Sequence, residues 1–259
     1  NTQADQLLHD RYQIIESDIG PLISESRCTV FDVMELHNAG ESLYAISEIL
    51  NLTPLQVETA LAYIVRHEAV LAPQLAGILQ RRVELEEHYR GIADGIYTKI
   101  SHEPITQRQA EFLALREHST ATYKVAGDAG RVDHNCEGHA RSIFRELDKL
   151  GYQSLLDLRL LVFADIGLPP EADDETVWTT CQQRGYLLLT GNRNTSAAGA
   201  SLELVMRRLA TDEVLPILTI GDLRRALRDP DYIRSCATTM AEIVLNLERF
   251  RGVPRLYLP

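Results

Sequence analysis

The chain has 259 residues, 45% of them apolar, enough to bury one large core or two medium ones, and two domains are expected. With 37 acidic against 26 basic residues the formal charge is −11, which repels nucleic acid at long range. A nucleic-acid enzyme of this composition must concentrate its basic residues locally or use a metal as its positive element.

No stretch approaches the roughly eighteen consecutive apolar residues that span a bilayer, and the N-terminal segment lacks a signal peptide's basic-then-apolar order. The expectation is a soluble, cytoplasmic protein without membrane contact. Cys28, Cys136, Cys181 and Cys236 are far apart and form no C-x-x-C pair, so reduced, mostly buried thiols are expected rather than a disulfide framework or zinc ribbon.

In chain order, a short apolar run at Ile14-Ile15 precedes three predicted helices. The first covers about Thr29 to Asn38 and is closed by Gly40 as a left-handed cap residue. Ser42 caps the second, with Leu43, Ile46, Ile49 and Leu50 at helical spacing. Thr53-Pro54-Leu55-Gln56 is a capping box with proline at the first helical position, and Val57, Ala60, Leu61 and Ile64 share a face.

Three short helices with a tight turn before the third match the pattern of a helix-turn-helix, which makes DNA binding one candidate role. The outward residues expected on the third helix are Gln56, Glu58, Thr59, Tyr63 and Arg66, and they lack the cationic footprint of a DNA reader. A protein-contact bundle is the alternative.

A long amphipathic helix is predicted from Pro73 to about Tyr97, turning Leu75, Ile78, Leu79, Val83, Leu85 and Tyr89 toward a partner or a core. Residues 91–120, with a second helix near Thr106 to His118, form an expected connecting arm. The domains are then 1–90, helical, and 121–259.

Beyond residue 120 strands and helices alternate. A strand runs toward Val132, a helix spans about Gly138 to Leu150, and apolar runs follow at Leu158 to Phe163, Tyr186 to Thr190 and Val214 to Leu218. Helices are predicted at Asp174 to Arg184, Ser201 to Ala210 and Asp231 to Arg249, the last closing the chain. This order predicts an α/β fold, a parallel sheet with helices on both faces.

Ligands of open α/β sheets bind outside the carboxyl ends of the strands, so polar residues after strands are the ones to inspect. Three places qualify: Asp133-His134-Asn135, Asp173-Asp174-Glu175 preceded by Asp165, and Gly191-Asn192-Arg193-Asn194. Carboxylate and amide oxygens converging at one sheet edge suit Mg2+ or Mn2+, and clustered carboxylates need such a cation to stay ionised.

Each residue has a structural alternative. Asp173 and Asp174 can be helix caps, Asn192 and Asn194 turn formers, and Asp133 the cap of the next helix. Asp128 competes with Asp133 as the first acid if the strand ends earlier. His134, Cys136 and His139 lack a fourth ligand at zinc spacing, and Trp178, Leu202 and Val205 read as core.

At these residues the C-terminal half resembles the PIN-like domain family, in the branch with a strand-Asp-x-Asn start, a Gly-Leu-Pro segment leading to an aspartate and a Leu-Leu-Thr-x-Asn-Arg-Asn turn. Here they are Asp133-His134-Asn135, Gly167-Leu168-Pro169 through Asp174, and Leu188 through Asn194. The likeness extends through Ser201-Leu202-Glu203, Leu215 to Asp222 and Gly252 to Pro259. About residues 12–90 resemble a small helical, antitoxin-like family, through Arg27 to Met34, Leu52-Thr53 and Ala60 to Ile64.

The resemblance implies a ribonuclease of toxin-antitoxin type with its antitoxin-like module fused in cis. By that likeness Asp133, Asp174, Asn192 and Asn194 are the catalytic, metal-holding set for Mg2+ or Mn2+ hydrolysis of an RNA phosphodiester. Asn135 would orient the first ligand and Arg193 contact the scissile phosphate, with Asp165, Glu175 and Asp128 in reserve. The chain departs from the wider pattern, having Asn192 and Asn194 where common nucleases have aspartates and Gly191 where many relatives of the branch have aspartate. A catalytically weak protein acting through protein contacts is the second expectation, a DNA-binding autoregulator the third, and homo-oligomerisation is expected with any of them.

Overall fold

The computed structural model describes residues 12–17, 19–26, 28–102, 124–127, 134–169, 172–191 and 202–259. The C-terminal part is built on five parallel strands, β3 (Lys124–Gly127), β4 (Arg159–Val162), β5 (Leu187–Thr190), β6 (Ile217–Ile220) and β7 (Arg255–Leu258), in the spatial order β4-β3-β5-β6-β7. Before them come a two-residue ribbon, β1 (Ile14–Ile15) paired antiparallel with β2 (Leu22–Ile23), and the helices α1 (Val30–Asn38), α2 (Leu43–Leu50) and α3 (Pro54–Ser101).

Four helices cover the sheet. α4 (His134–Lys149) and α9 (Pro230–Leu245) share one core with Val125, Leu187, Leu189, Leu218, Ile220, Leu256 and Leu258. α6 (Asp174–Arg184) and α7 (Leu202–Leu209) share another with Ala126, Leu188 and Ile217. Alternate strand residues thus enter opposite cores, as the two-residue side-chain period requires, and the apolar runs of β5 and β6 are buried throughout. The short helices α5 (Tyr152–Leu155) and α8 (Leu223–Arg228) are also described in this part.

The N-terminal helices form a third core of Val30, Val33, Met34, Ile46, Ile49, Val57, Ala60 and Ile64. Their ends are capped as the sequence dictates. Thr29 makes a reciprocal capping box with Asp32, Ser42 accepts from the Ala45 N–H, and Thr53 makes a second box with Gln56. Gly40, at φ +82°, follows α1 where the chain needs a left-handed residue.

Inside this core Arg82 is buried and pairs with Glu35 and with Asp32 at 3.4 Å, tying α3 to α1 through charge-assisted bonds.

Several sequence expectations change. Helix α3 does not restart at Pro73. It runs from Pro54 to Ser101 with a kink at His67, where φ/ψ leave the helical region, and Pro73 lies inside the helical run that follows the kink. Its C-terminal part, like the expected helix to about Tyr97, runs past residue 90, and Ile92, Ala93 and Ile96 pack on the sheet's core.

Gln56, expected to face outward, is 1% exposed and donates to the Ser24 carbonyl at 3.0 Å while closing its capping box. The last helix stops at Leu245, and β7 follows as a strand absent from the sequence expectation. α3 lies along β7, the edge strand that would otherwise stand open. Cys28, Cys181 and Cys236 are buried. The helix expected near 106–118 lies outside the described residues.

Ile143 is fully buried on the face of α4 that packs on the sheet and α9. Ile143→Ala should lower the unfolding free energy by about 2–5 kcal/mol, measured by urea denaturation, because the rigid cavity walls cannot close.

Candidate functional site at the carboxyl edge of the sheet

From β3 the chain passes to β4 on one side and then crosses to β5 on the other, so the strand order reverses between β3 and β5. Neighbouring connections leave in opposite directions there, which opens a crevice at the carboxyl ends. β3 ends at Gly127, and β5 ends at Thr190 followed by Gly191. Helices returning between parallel strands begin at this same edge, which puts the start of α6 there too.

Asp128 directly follows β3, and Asp133 directly precedes α4, which begins at His134. The strand end expected at Val132 lies outside the described residues. Asp128, Asp133, Asn192, Arg193 and Asn194 lie outside the described residues. Asn135 is in the first turn of α4, and its side chain is likewise outside them.

Asp165, Asp173, Asp174 and Glu175 are the expected acids among the described residues, and each already makes interactions of its own. Asp165 turns back to accept from the Val162 N–H at 3.0 Å, closing the 3-10 turn Phe163–Ile166 after β4. Glu175 pairs with Arg208 of α7. Asp173 is the N-cap of α6, accepting from the Thr176 N–H at 2.7 Å, and this leaves Asp174 as the first helical residue, partly buried at the helix's positive end. Among the described residues no group of three or more His, Cys, Asp and Glu side chains is placed to hold a metal.

Gly191 faces Leu223. A Cβ at Gly191 would stand 2.9 Å from one Leu223 methyl carbon and 3.0 Å from the other. Leu223 opens α8 just beyond β6 and packs against both the sheet core and the N-terminal core. The N-terminal helices therefore reach the carboxyl edge, and Glu41 holds α8 there through a two-pronged pair with Arg228 at 2.9 and 3.2 Å. The Arg228 guanidinium lowers the Glu41 carboxyl from its ordinary value.

Asp222 occupies the matching position after β6. It accepts from the Arg224 and Arg225 N–H groups at 2.9 and 3.0 Å, so this strand-end acid is a helix cap. Arg224 and Arg225 then stand at the carboxyl edge, a local basic pair that sequence reasoning missed because α8 was not predicted. The only signal was the Leu-Arg-Arg-Ala-Leu-Arg pattern.

No family model, curated protein or solved structure matches this chain.

Two predictions arise from this edge. Gly191→Ala should destabilise the protein by about 1–3 kcal/mol, and Leu223→Ala in the same chain should recover part of that loss, since the two side chains would compete for one space. A double-mutant cycle by chemical denaturation reads the coupling.

The second concerns His139, on the second turn of α4. It is 2% exposed, neither ring nitrogen has a partner among the described residues, and burial lowers its pKa to about 4. The folded state therefore binds fewer protons than the unfolded one between the ordinary value of 6.5 and about 4. Its stability contribution is intact above pH 6.5 and is lost as pH falls through that window. His139→Leu should flatten the decline in urea midpoint between pH 7 and pH 4.5 that the wild type shows.

Proposed function

We propose that residues 121–259 form a PIN-like, Mg2+- or Mn2+-dependent ribonuclease domain restrained in cis by the antitoxin-like helical region of residues 1–90. The observation that carries this reading is the reversal of strand order between β3 and β5. The two strand ends at that reversal lead directly into Asp128 through Asp133 and into Gly191-Asn192-Arg193-Asn194, and Asp174 opens α6 on the same edge.

The donors on these segments are carboxylate and amide oxygens, a set suited to a hard divalent cation rather than zinc. Asp133, Asp174, Asn192 and Asn194 would hold it, with Asn135 orienting Asp133. Bound there, such a cation supplies positive charge at the phosphoryl oxygens and an activated water. Arg193 would grip the scissile phosphate, and Arg224 and Arg225 would steer the RNA backbone past an otherwise acidic surface. The cis restraint is supported by Leu223 and by the Glu41–Arg228 pair, which join the N-terminal helices to this edge.

Purified protein incubated with mixed RNAs and Mn2+ should cleave them, and an Asp133→Asn, Asp174→Asn double variant should cleave at least on the order of a hundredfold more slowly. Equal cleavage by the two proteins, or none by either, overturns the enzymatic reading. Glu41→Arg should raise the cleavage rate, and adding Arg228→Glu should bring it back down by re-forming the pair with reversed charges. An unchanged rate in Glu41→Arg removes the cis restraint.

A second reading is a catalytically weak protein acting through protein contacts. It is favoured by the Leu223 side chain filling the space beside Gly191 and by the occupation of Asp165 and Glu175. Absence of cleavage together with capture of the chain by itself in light scattering would support it. The DNA-binding reading is weakened by the burial of Gln56 in the third helix.

A further inference from the structure

A buried polar cluster lies on the α6/α7 face of the sheet, apart from the metal-type donors. The register places Thr190, Thr219 and Tyr257 side by side across β5, β6 and β7, with Arg255 two residues before Tyr257 on the same face. Arg255 is 0% exposed, and its Nη1 donates to the Tyr257 hydroxyl at 3.4 Å. Its Nε and Nη2, and the fully buried Thr219 hydroxyl, have no partner among the described residues.

Glu203 of α7 closes the cluster from above. One of its oxygens accepts from the Tyr89 hydroxyl at 3.2 Å and from Arg207 Nε at 3.1 Å, while Oε2 is buried without a partner. Glu203 and Arg255 both act electrostatically on the Tyr89 hydroxyl. Burial is the main cause that pushes that hydroxyl up to about 12, so it remains a donor to Glu203 at neutral pH.

Among the described residues Glu203 pairs with Arg207 and Glu86 with Arg90, and Arg255 has no ion pair, having its bond to the Tyr257 hydroxyl and that ring's face 5.9 Å away as a weak cation-π partner. A guanidinium cut off from water and without an anion costs several kcal/mol, so a native chain that keeps one has a counterion for it.

We propose that Arg255, Thr219 and Glu203 form a binding site for a phosphate-class anion. Phosphate fits both kinds of vacancy. Its unprotonated oxygens accept from Arg255 Nε and Nη2 and from the Thr219 hydroxyl, and its P–OH donates to Glu203 Oε2. Inorganic phosphate keeps one such proton across the neutral range as the hydrogen phosphate dianion, whereas a monoester, whose second pKa is about 6, keeps its own only below that pH. Sulfate has the same shape and no proton to give, so the Glu203 carboxylate repels it. The site is independent of the proposed metal donors.

The test is calorimetric titration of the full chain with inorganic phosphate and with sulfate at equal ionic strength, followed by a nucleoside 5′-monophosphate and the bare nucleoside. Phosphate should bind saturably and sulfate at least on the order of tenfold more weakly. Binding of the monophosphate but not the nucleoside identifies a phosphate monoester as a ligand, and inorganic phosphate alone identifies the free ion.

Arg255→Met should abolish binding. Without anion it should melt at or above the wild-type temperature, because it removes an orphaned charge rather than a contact. Glu203→Gln, whose amide donates as well as accepts, should erase the preference for phosphate over sulfate. Equal affinity for the two anions, no binding of either, phosphate binding retained in Arg255→Met, or a melting temperature of Arg255→Met well below wild type without anion would each overturn the proposal.

Discussion

A five-stranded parallel sheet must lose water from both faces, and in this chain that requirement places almost everything else. α4 and α9 cover one face and α6 and α7 the other. To cover both, the chain reverses direction across the sheet after β4, and that reversal creates the crevice between β3 and β5. The carboxyl edge is therefore a product of the packing problem. The polar residues that follow the strands inherit their position from it.

The same requirement explains the length of α3. A strand at the end of a sheet exposes unpaired backbone groups, and β7 is such a strand. α3 extends from the N-terminal helices to lie along it, with Arg90 donating to the Leu258 carbonyl at 3.3 Å and Tyr97 edge-on to Phe250. One helix thus contributes to the N-terminal core at Leu71, Leu75 and Ile78 and to the sheet core at Ile100. The two halves are mechanically joined, and any movement of the N-terminal helices would be felt at Leu223 and Gly191.

Much of the local structure was legible because its determinants lie close together in the chain. Ser42 with Ala45 and Thr53 with Gln56 are contacts three residues apart, and the caps expected there are formed, as is a further one between Thr29 and Asp32. β5 and β6 were visible as apolar runs for the same reason. β7 was missed because Arg255 and Tyr257 break the apolar pattern, although both are buried in the folded chain. Pro73 suggested a helix start, and the break in the helix falls six residues earlier, at His67, with Leu71 and Leu75 buried in the N-terminal core beyond it.

For the candidate site, the sequence by itself determined which residues carry oxygen donors and that they follow strands, since both are matters of residue type and short-range order. Only the tertiary structure decided which strand ends are neighbours, that Asp165 and Glu175 are already engaged, and that Leu223 and the N-terminal helices stand over Gly191. Likewise the sequence displays Arg255 and Glu203 as two unremarkable charged residues. Their burial depends on contacts across the whole chain, which no local pattern encodes.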